Sequence, residues 1–230
     1  MTLGIMQPYF MPYIGYWQLM AAVDTYVVYD DVNYIKGGWV ARNNILLQGQ
    51  PYRFTIELSG ASPNKLINEV SIRDDFHKFL RMLQNGYARA PYFKEVMPLM
   101  ETICGYEERT LDKFMMHSFR TILDYLDIPT QLVLSSDIRK DNSLHGGDKV
   151  KHICHLLQAD TYINAIGGRN LYDVDDFAQA GIKLKFLQTN ENLVYKQGAS
   201  PFVPNLSIID VLMHAGKEGT ERLLKEYTLI

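Results

Sequence analysis

An alternation of strand-like and helix-like segments constrains the fold of this chain more than any other feature. An apolar run over residues 3–6 is followed by a helical candidate over residues 13–23 and by a β-branched, aromatic run over residues 25–29. Strand, helix and strand in this order are typical of a βαβ unit, whose two strands are parallel. The second run is almost wholly apolar, as expected for a strand that is buried on both faces of a parallel sheet.

The same alternation returns in the second half of the chain. Three more strand-like runs are separated by helical patterns, with strands at 131–134, 161–165 and 182–187 and helices at 148–158 and near 175–180. Five strands separated by helices predict an α/β fold, a three-layer sandwich with a mainly parallel sheet and right-handed crossovers. We expect the doubly wound strand order 3-2-1-4-5, with a helical segment inserted between the third and fourth strands.

Between the two halves, the apolar period first alternates and then becomes helical. Residues 52–58 place Tyr, Phe, Ile and Leu on one face, which predicts a strand of a hairpin or of a sheet extension. Residues 74–127 have helical periodicity and form the predicted insertion. The sequence contains no repeat and no linker-like stretch, so it predicts a single domain, 1–230, that includes this insertion.

Composition and charge limit the classes of function. Apolar residues make up 47% and charged residues 21% of the 230-residue chain, as in an ordinary globular protein. The formal net charge of −3 provides no basic field, so a nucleic-acid partner is not expected. No basic N-terminal region precedes an apolar stretch, and no run of about 18 apolar residues occurs, so we expect a cytoplasmic protein without a membrane span.

Four polar clusters directly follow predicted strands. They lie at residues 7–9, 30–31, 135–137 and 166–170, and they include the candidate ligand contacts Gln7, Tyr9, Ser136, Gly167 and Gly168. Ligands of open α/β sheets bind at the carboxyl ends of the strands, near the point where the strand order reverses. If the strands are parallel, all four clusters share one edge of the sheet. The sequence therefore predicts a small-molecule site at that edge.

The most unusual segment is residues 7–17, which contains two prolines and three tyrosines. The Gln7 side-chain amide and the hydroxyls of Tyr9, Tyr13 and Tyr16 are hydrogen-bonding groups that suit a polar ligand. The helix that follows begins with free backbone amides, which attract an anion. The alternative is a packed loop that its prolines hold in order.

Residues 33–43 combine cations with glycines and an aromatic ring. Lys36 and Arg42 are candidate groups for phosphate or carboxylate, and a planar guanidinium binds either of these in a bidentate manner. Trp39 offers a ring for stacking on a base or sugar, and Asn43 is a further candidate ligand contact. The alternative is a solvated hairpin with surface charges.

Asp30 and Asp31 end the second predicted strand. Each carboxylate is a candidate ligand for Mg²⁺ or a candidate general base toward an amine nucleophile. Adjacent side chains of a strand point to opposite faces, so we expect one of the two at the site, and chain position favours Asp30 as the base. His152 and His155 have helical spacing, but no third ligand has a fitting spacing, so no metal site is predicted from them.

Several blocks of this sequence resemble those of the WbqC-like protein family. They are residues 7–17, 30–32, 42–43 and 195–197, then Phe202, Pro204, residues 206–208 and Asp210, together with Gly167, Gly168, Tyr172 and residues 181–182. The resemblance implies ligand contacts by Asp31, Tyr172, Lys196, Gln197, Phe202 and Ser207. It also implies a place in the biosynthesis of O-antigen and other surface polysaccharides, and it suggests acyl or aminoacyl modification of an amino sugar.

The first βαβ unit is also similar to that of nucleotidyltransferases and pantothenate synthetases, which share the nucleotidyltransferase-like (HUP) fold. Those enzymes stabilise phosphates during adenylation with a His-x-Gly-His motif at this place. Here the corresponding residues are Tyr13-Ile14-Gly15-Tyr16, in which tyrosine replaces both histidines. Tyrosine donates hydrogen bonds but carries no positive charge near neutral pH, so this departure argues against ATP binding by the loop.

Two hypotheses of function follow. The first is a transferase that forms an amide on an amino sugar in surface-polysaccharide biosynthesis, with Asp30 as the base, Lys36 and Arg42 neutralising phosphate, and ATP and Mg²⁺ as candidate cofactors. The expected partner is a small-molecule substrate, a nucleotide-linked amino sugar. The second is a non-catalytic protein of the same pathway that binds a sugar nucleotide or acts as a scaffold. The sequence does not predict the oligomeric state.

Overall fold

The computed structural model describes residues 1–198 and 201–230. The strands of these residues are β1 (Thr2–Met6), β2 (Thr25–Val28), β3 (Arg42–Leu47), β4 (Gln50–Thr55), β5 (Leu58–Ser59), β6 (Ser71–Ile72), β7 (Gln131–Leu134), β8 (Thr161–Ala165), β9 (Lys183–Thr189) and β10 (Tyr227–Leu229). The α-helices are α1 (Ile14–Ala21), α2 (His77–Tyr87), α3 (Phe93–Cys104), α4 (Leu111–Tyr125), α5 (Gly146–Leu156), α6 (Val174–Gln179) and α7 (Ile208–Leu223). Within the described ranges, no helix is both long and apolar enough to cross a bilayer.

The central sheet has six strands in the order β7-β2-β1-β8-β9-β10. The first five of these strands are parallel, and β10 pairs with β9 in the antiparallel direction. In the middle of the sheet, Gly4 of β1 is in register with Tyr26 of β2 and Ile163 of β8. The prediction of an α/β fold with a mainly parallel sheet is confirmed. The C-terminal ends of the parallel strands lie along one edge of the sheet, which we term the carboxyl edge.

The number of strands in the central sheet and the place of the insertion differ from the prediction. Residues 52–58 contribute to two small antiparallel sheets, β3-β4 and β5-β6, and not to the central sheet. Five of the six residues of β4 are exposed, whereas a strand in a sheet covered by helices on both faces must be apolar on both sides. The neighbour of β2 is β7, so the helical region lies between the second and third strands of the central sheet. The antiparallel β10 is a further strand that the predicted order lacks.

Helices cover both faces of the central sheet. On one face, α1, α4 and α7 contribute Trp17, Phe119 and Leu212 to a large apolar core. On the other face, α5 and α6 pack Ile153 and Phe177 against the sheet in a second core. The segment predicted as an insertion contains α2, α3 and α4, and their apolar sides join the first core.

The loop between β1 and α1 is held by the backbone carbonyl of Met11. Met11 has a φ of 49°, in the left-handed region, and is fully buried. Its carbonyl oxygen accepts a hydrogen bond of 2.6 Å from the Asn43 side-chain amide and one of 2.8 Å from the Ser207 hydroxyl. The Ser207 oxygen in turn accepts the backbone N–H of Ile209 and so caps α7. One buried carbonyl therefore joins the loop to β3 and to α7, an arrangement that we term the Met11 joint.

Alanine substitutions at Asn43 and Ser207 test the Met11 joint. Each single substitution removes one of the two hydrogen bonds to the carbonyl, and we expect each to lower the free energy of unfolding by about 1–2 kcal/mol. The double variant N43A/S207A leaves a buried carbonyl without a partner, so its loss should exceed the sum of the single losses by about 1 kcal/mol. Urea unfolding measures the effect, with the exposed Ser59→Ala as the control. Additive losses would contradict the joint.

Candidate functional site

The carboxyl edge gathers the loops that carry the predicted polar clusters. Gln7 follows β1, Asp30 and Asp31 follow β2, Ser136 follows β7, and Gly167 follows β8. These strands are parallel neighbours, so their loops emerge at the same edge of the sheet. Two of the clusters are in direct contact, because the backbone N–H of Ser136 donates a hydrogen bond of 2.9 Å to the Asp30 carboxylate.

A cavity of about 590 Å³ opens between the loops that follow β2, the loop that precedes α5, and the chain beyond β8. We term it the rim pocket, and it is lined by Tyr29, Asp31, Val32, Asn33, Leu66, Asn142, His145, Gly146, Lys149, Val150 and Tyr172. Small-molecule sites have volumes of roughly 300–1,000 Å³, so this cavity is large enough to hold one. Asp31 and Tyr172 are the sequence-predicted ligand contacts that line it.

Three charged side chains meet at the wall of the rim pocket. The Lys140 ammonium lies 2.6 Å from Asp31 Oδ2, and the Lys149 ammonium lies 3.8 Å from the same oxygen. Only 1% of the Lys140 side chain is exposed, and its ammonium also donates to the backbone carbonyl of Ser135. Two ammonium groups and one carboxylate leave an excess of one positive charge. The wall of the pocket therefore favours an anionic ligand.

The charges and the burial at this wall fix the protonation states of its groups. Burial raises the pKa of Asp31, but the hydrogen bond from Lys140 and the charges of Lys140 and Lys149 outweigh it, and the pKa lies below its usual value. Burial, the nearby Asp31 charge and Tyr172 raise the pKa of Tyr29 to about 12. Burial likewise raises the pKa of Tyr172. At neutral pH, Asp31 is therefore ionised, and the hydroxyl groups of both tyrosines are neutral and can form hydrogen bonds.

Helix α5 begins at the rim pocket. His145 is its N-cap residue, and no side chain of the described residues caps the helix. Gly146, the first residue of α5, lines the pocket and has a φ of 53°, which favours glycine. A Cβ atom at Gly147 would come within 3.8 Å of the Tyr172 ring. The free N–H groups of the first turn, with their partial positive charge, thus lie at the same cavity as Lys149.

Asp30, the predicted base, does not line the rim pocket. Its side chain is fully buried, one carboxylate oxygen accepts the N–H of Ser136, and the other accepts the side-chain amide of Asn68 at 3.2 Å. These bonds tie the loop after β2 to the loop after β7 and to residues 67–69. Of the two adjacent aspartates, Asp31 is the one that faces the pocket, and the role of Asp30 as a base remains a prediction that its burial does not favour.

The opening loop contributes to the core more than to the rim pocket. Tyr16 is 1% exposed, and its hydroxyl donates a hydrogen bond of 2.7 Å to the backbone carbonyl of Gln7. Burial raises its pKa well above the usual value, so the hydroxyl remains neutral. Tyr9 and Tyr13 are half-buried and pack against the first core. The contact of Tyr16 with a ligand stays a prediction that its burial does not favour, and the packed-loop alternative describes its surroundings.

Two further predicted contacts, Asn43 and Ser207, also have structural partners. Both side chains are buried and donate to the Met11 carbonyl. They hold the opening loop in place and offer almost no surface to a ligand. Both have a structural role in the Met11 joint, and their contact with a ligand stays a prediction that their burial does not favour.

The cations and the aromatic ring of the segment 33–43 lie apart from the rim pocket lining, to which the segment contributes Asn33. Trp39 is 45% exposed, and the guanidinium groups of Arg42 and Arg53 lie 5.4 and 6.0 Å from the centre of its ring. Arg42 also donates to the backbone carbonyl of Gly37. Lys36 is exposed. This arrangement resembles the alternative of a hairpin with surface charges, and the roles assigned to Lys36, Trp39 and Arg42 remain predictions.

The C-terminal block is organised around the buried carboxylate of Asp210. Its two oxygens accept hydrogen bonds of 2.8 Å from the Tyr87 hydroxyl, 2.6 Å from the Tyr195 hydroxyl and 2.8 Å from the Gln197 amide. The His214 ring nitrogen is 3.9 Å away, and burial lowers the pKa of this histidine despite the nearby carboxylate. Gln197, a predicted ligand contact, is therefore engaged in holding the chain near residue 197 to α7.

Phe202 and Lys196 lie close to this cluster along the chain. The Phe202 ring packs edge-on against Tyr195, with 5.2 Å between the ring centres. Together with Ile14 and Leu206, these two rings line a second cavity, of about 360 Å³, near the end of β9. Lys196 is exposed. Phe202 therefore lines a cavity as predicted for a ligand contact, but this cavity is not the rim pocket.

The sequence pattern does not reveal the basic side chains at the rim pocket, which are His145 and Lys149 in its lining and Lys140 behind it. Lys149 precedes the buried Val150 on α5, and a lysine beside the apolar stripe of a helix is only a weak indication of a ligand site. Lys140 lies in an irregular segment after β7 that has no distinctive spacing. His145 stands before two glycines, which the sequence identifies as a turn. Their convergence with Asp31 depends on the tertiary fold.

The described residues contain no group of three or more His, Cys, Asp or Glu side chains close enough to hold a metal ion. The carboxylate that faces the pocket, Asp31, is already paired with two lysines. Mg²⁺ and ATP remain candidate cofactors from the sequence alone.

The fold and the site define an α/β protein with a cationic pocket at the carboxyl edge of a mainly parallel sheet. The model of the WbqC-like protein family matches residues 7–222, and the chain belongs to this family. The chain is also similar to an uncharacterized protein of Mycobacterium tuberculosis (strain ATCC 25618 / H37Rv), Rv1507c, with 28% identity over 224 residues that cover 96% of each protein. No solved structure matches the chain.

Replacing Lys140 by Met tests the buried ion pair. We expect a loss of about 3 kcal/mol in the free energy of unfolding at pH 7, because the substitution removes the closest cation from a largely buried carboxylate. The pKa of Asp31 is lowered by folding, so its contribution is present above the unfolded value of about 3.9 and is lost as the pH falls through the folded value. The cost of K140M should therefore shrink between pH 7 and pH 3, as measured by urea unfolding.

Lys113→Met is the matched control for K140M. Lys113 forms an ion pair with Glu108 at 3.7 Å, but more than half of its side chain is exposed. Exposed pairs contribute about 0–1 kcal/mol, so this variant should change stability little at any pH. A cost of K140M that is the same at pH 7 and pH 3 would contradict the ion-pair account.

Proposed function

We propose that this protein is a transferase that forms an amide on an amino sugar in surface-polysaccharide biosynthesis, and that the sugar substrate, linked to a nucleotide, binds in the rim pocket. The observation that carries the proposal is the convergence of Asp31, His145 and Lys149 at a cavity of about 590 Å³ on the carboxyl edge, with the buried Lys140 paired to Asp31 behind the cavity wall. Membership of the WbqC-like family supports the pathway that the sequence resemblance implies.

The walls of the pocket suit the two chemical parts of such a substrate. Its excess positive charge suits phosphate, and the neutral hydroxyls of Tyr29 and Tyr172 suit the hydroxyl groups of a sugar. Asn33 and Asn142 add side-chain amides that donate and accept hydrogen bonds. A nucleotide-linked sugar carries both features in one molecule, which is why we favour it over a free sugar.

His145 is the group that we assign to proton transfer. It lines the pocket, is exposed to solvent and precedes the first turn of α5. The sugar amine would attack the carbonyl carbon of an activated acyl donor, so that the C–N bond forms and the bond to the leaving group breaks with its electron pair. The amine proton passes to the imidazole of His145, a side chain that commonly acts as a general base. Asp31 is less suited, because two lysines lower its basicity.

A non-catalytic sugar-nucleotide-binding protein is the second candidate. One observation favours it: Asp30 is fully buried with both carboxylate oxygens hydrogen-bonded, and Asp31 is paired with Lys140. The pocket therefore contains no free carboxylate base among the described residues, and turnover depends on His145. The two candidates share the same ligand and differ in chemistry.

A product assay with a histidine variant separates the two candidates. The protein is incubated with ATP, glycine or acetate, and a nucleotide-linked 4-amino sugar, and mass spectrometry detects the amide product and AMP. For the transferase, we expect H145A to lower turnover by about 100-fold or more, since a general base contributes about 10²–10⁴-fold, while the affinity for the sugar nucleotide is retained. The exposed His155 of the same helix provides the control, H155A, which should retain full turnover.

Two other outcomes of this assay would contradict the transferase or the role of His145. If no amide and no AMP form across a panel of acceptors while the sugar nucleotide still binds, the protein is the binding protein of the second candidate. If H145A and wild type turn over at the same rate, the assignment of His145 as the base is wrong.

A further inference from the structure

The ammonium group of Lys149 donates no hydrogen bond to any residue that the structure describes. Only 9% of its side chain is exposed, and its nearest carboxylate oxygen, Asp31 Oδ2, is 3.8 Å away, beyond hydrogen-bonding distance. That same oxygen already accepts Lys140 at 2.6 Å. The face of the Tyr29 ring, with its centre 5.6 Å away, is the other close neighbour. The Lys149 ammonium lines the rim pocket and makes no hydrogen bond within the described protein, so it is available to an acceptor that a ligand supplies.

A second set of unpartnered donors adjoins this ammonium. Lys149 lies in the first turn of α5, whose N-terminus has no side-chain cap among the described residues. Gly146 of that turn and Lys149 both line the rim pocket. Backbone N–H groups at a helix start bind phosphate oxygens, and glycine at this position allows a close approach. The ammonium and the backbone donors therefore lie at one end of one cavity.

The charge of the pocket selects the class of ligand. Lys140 and Asp31 neutralise each other at 2.6 Å, which leaves the charge of Lys149 uncompensated. Lysine binds phosphate as a point charge and needs no fixed fork geometry. Phosphate oxygens accept hydrogen bonds from the ammonium and from backbone N–H groups at the same time.

We propose that the rim pocket contains a phosphate subsite formed by the Lys149 ammonium and the first turn of α5, which holds the diphosphate of the substrate, while Asp31 and Lys140 hold the wall in place. This inference deepens the proposed function, since it names the part of the substrate that gives affinity at the same pocket. It does not depend on turnover, and the absence of an amide product would leave it intact.

Titration calorimetry with Lys149→Met tests the subsite. The ligands are pyrophosphate, uridine diphosphate, geranyl diphosphate and uridine without phosphate. For the diphosphates, we expect K149M to weaken binding by about 10- to 100-fold, the effect of a charge-assisted hydrogen bond of about 1.5–3 kcal/mol. Uridine should bind much more weakly than uridine diphosphate to wild type, and K149M should not change its affinity.

Lys151→Met is the matched control on the same helix. The Lys151 ammonium is bound to Asp148 and Asp176 at 2.9 and 2.7 Å, away from the pocket lining, so K151M should change affinity by less than about twofold. Equal weakening by K149M and K151M would show a general charge effect and overturn the subsite. Uridine binding as tightly as uridine diphosphate would overturn it as well.

The relative affinities identify the source of the phosphate. Tighter binding of uridine diphosphate than of geranyl diphosphate assigns a nucleotide, and the reverse order assigns a lipid-linked diphosphate. Either order supports the phosphate subsite.

A measurement on the wild-type protein removes any dependence on the folding of variants. In a ¹⁵N NMR titration with pyrophosphate, the amides of Gly146 and Gly147 should show the largest shifts. Largest shifts in the hairpin around Trp39 and Arg42 would place the anion at the exposed cations and overturn the proposal.

Discussion

The buried carbonyl of Met11 is the interaction on which the arrangement of the loops depends. It sits at a left-handed residue between β1 and α1 and accepts two side-chain hydrogen bonds, one from the hairpin and one from the start of α7. A backbone carbonyl buried without a partner is costly, so the loop, β3 and α7 must come together for the chain to satisfy it. Asn43 and Ser207 are more than 160 residues apart, and this joint fixes their parts of the chain to the same loop.

At the carboxyl edge, the two adjacent aspartates Asp30 and Asp31 have different structural roles. The two oxygens of the Asp30 carboxylate accept hydrogen bonds from the N–H of Ser136 and from the side-chain amide of Asn68. These bonds hold the loops after β2 and β7 close together. Asp31 faces the opposite way and holds the Lys140 ammonium at the wall of the rim pocket. The pocket keeps a positive charge because a second lysine, Lys149, stands by the same carboxylate.

The parallel core of the fold follows from local patterns that the sequence displays directly. The sequence alone shows the apolar runs of β1, β2 and β8 and the helical periods of α5 and α7. These patterns predict the edge of the sheet where the loops meet. The sequence does not predict where the 52–58 segment lies, because an alternating strand fits a hairpin as well as a sheet extension. The direction in which a side chain points within a loop is harder still to predict: chain position favours Asp30, whereas Asp31 is the aspartate that lines the pocket.

The distinctive blocks of the sequence supply Asp31 and Tyr172 to the pocket, but most of their polar residues hold the fold together. The blocks that resemble the family contain Met11, Asn43, Gln197, Ser207 and Asp210, whose polar groups bind one another or the residues packed against them. Lys140, His145 and Lys149 lie between the blocks, in a segment without a recognisable motif. A substitution at Lys149 would change the charge of the pocket without breaking a hydrogen bond of the Met11 joint. The scaffold can therefore be retained while the ligand chemistry changes, and a sequence motif of this kind identifies the fold more reliably than the substrate.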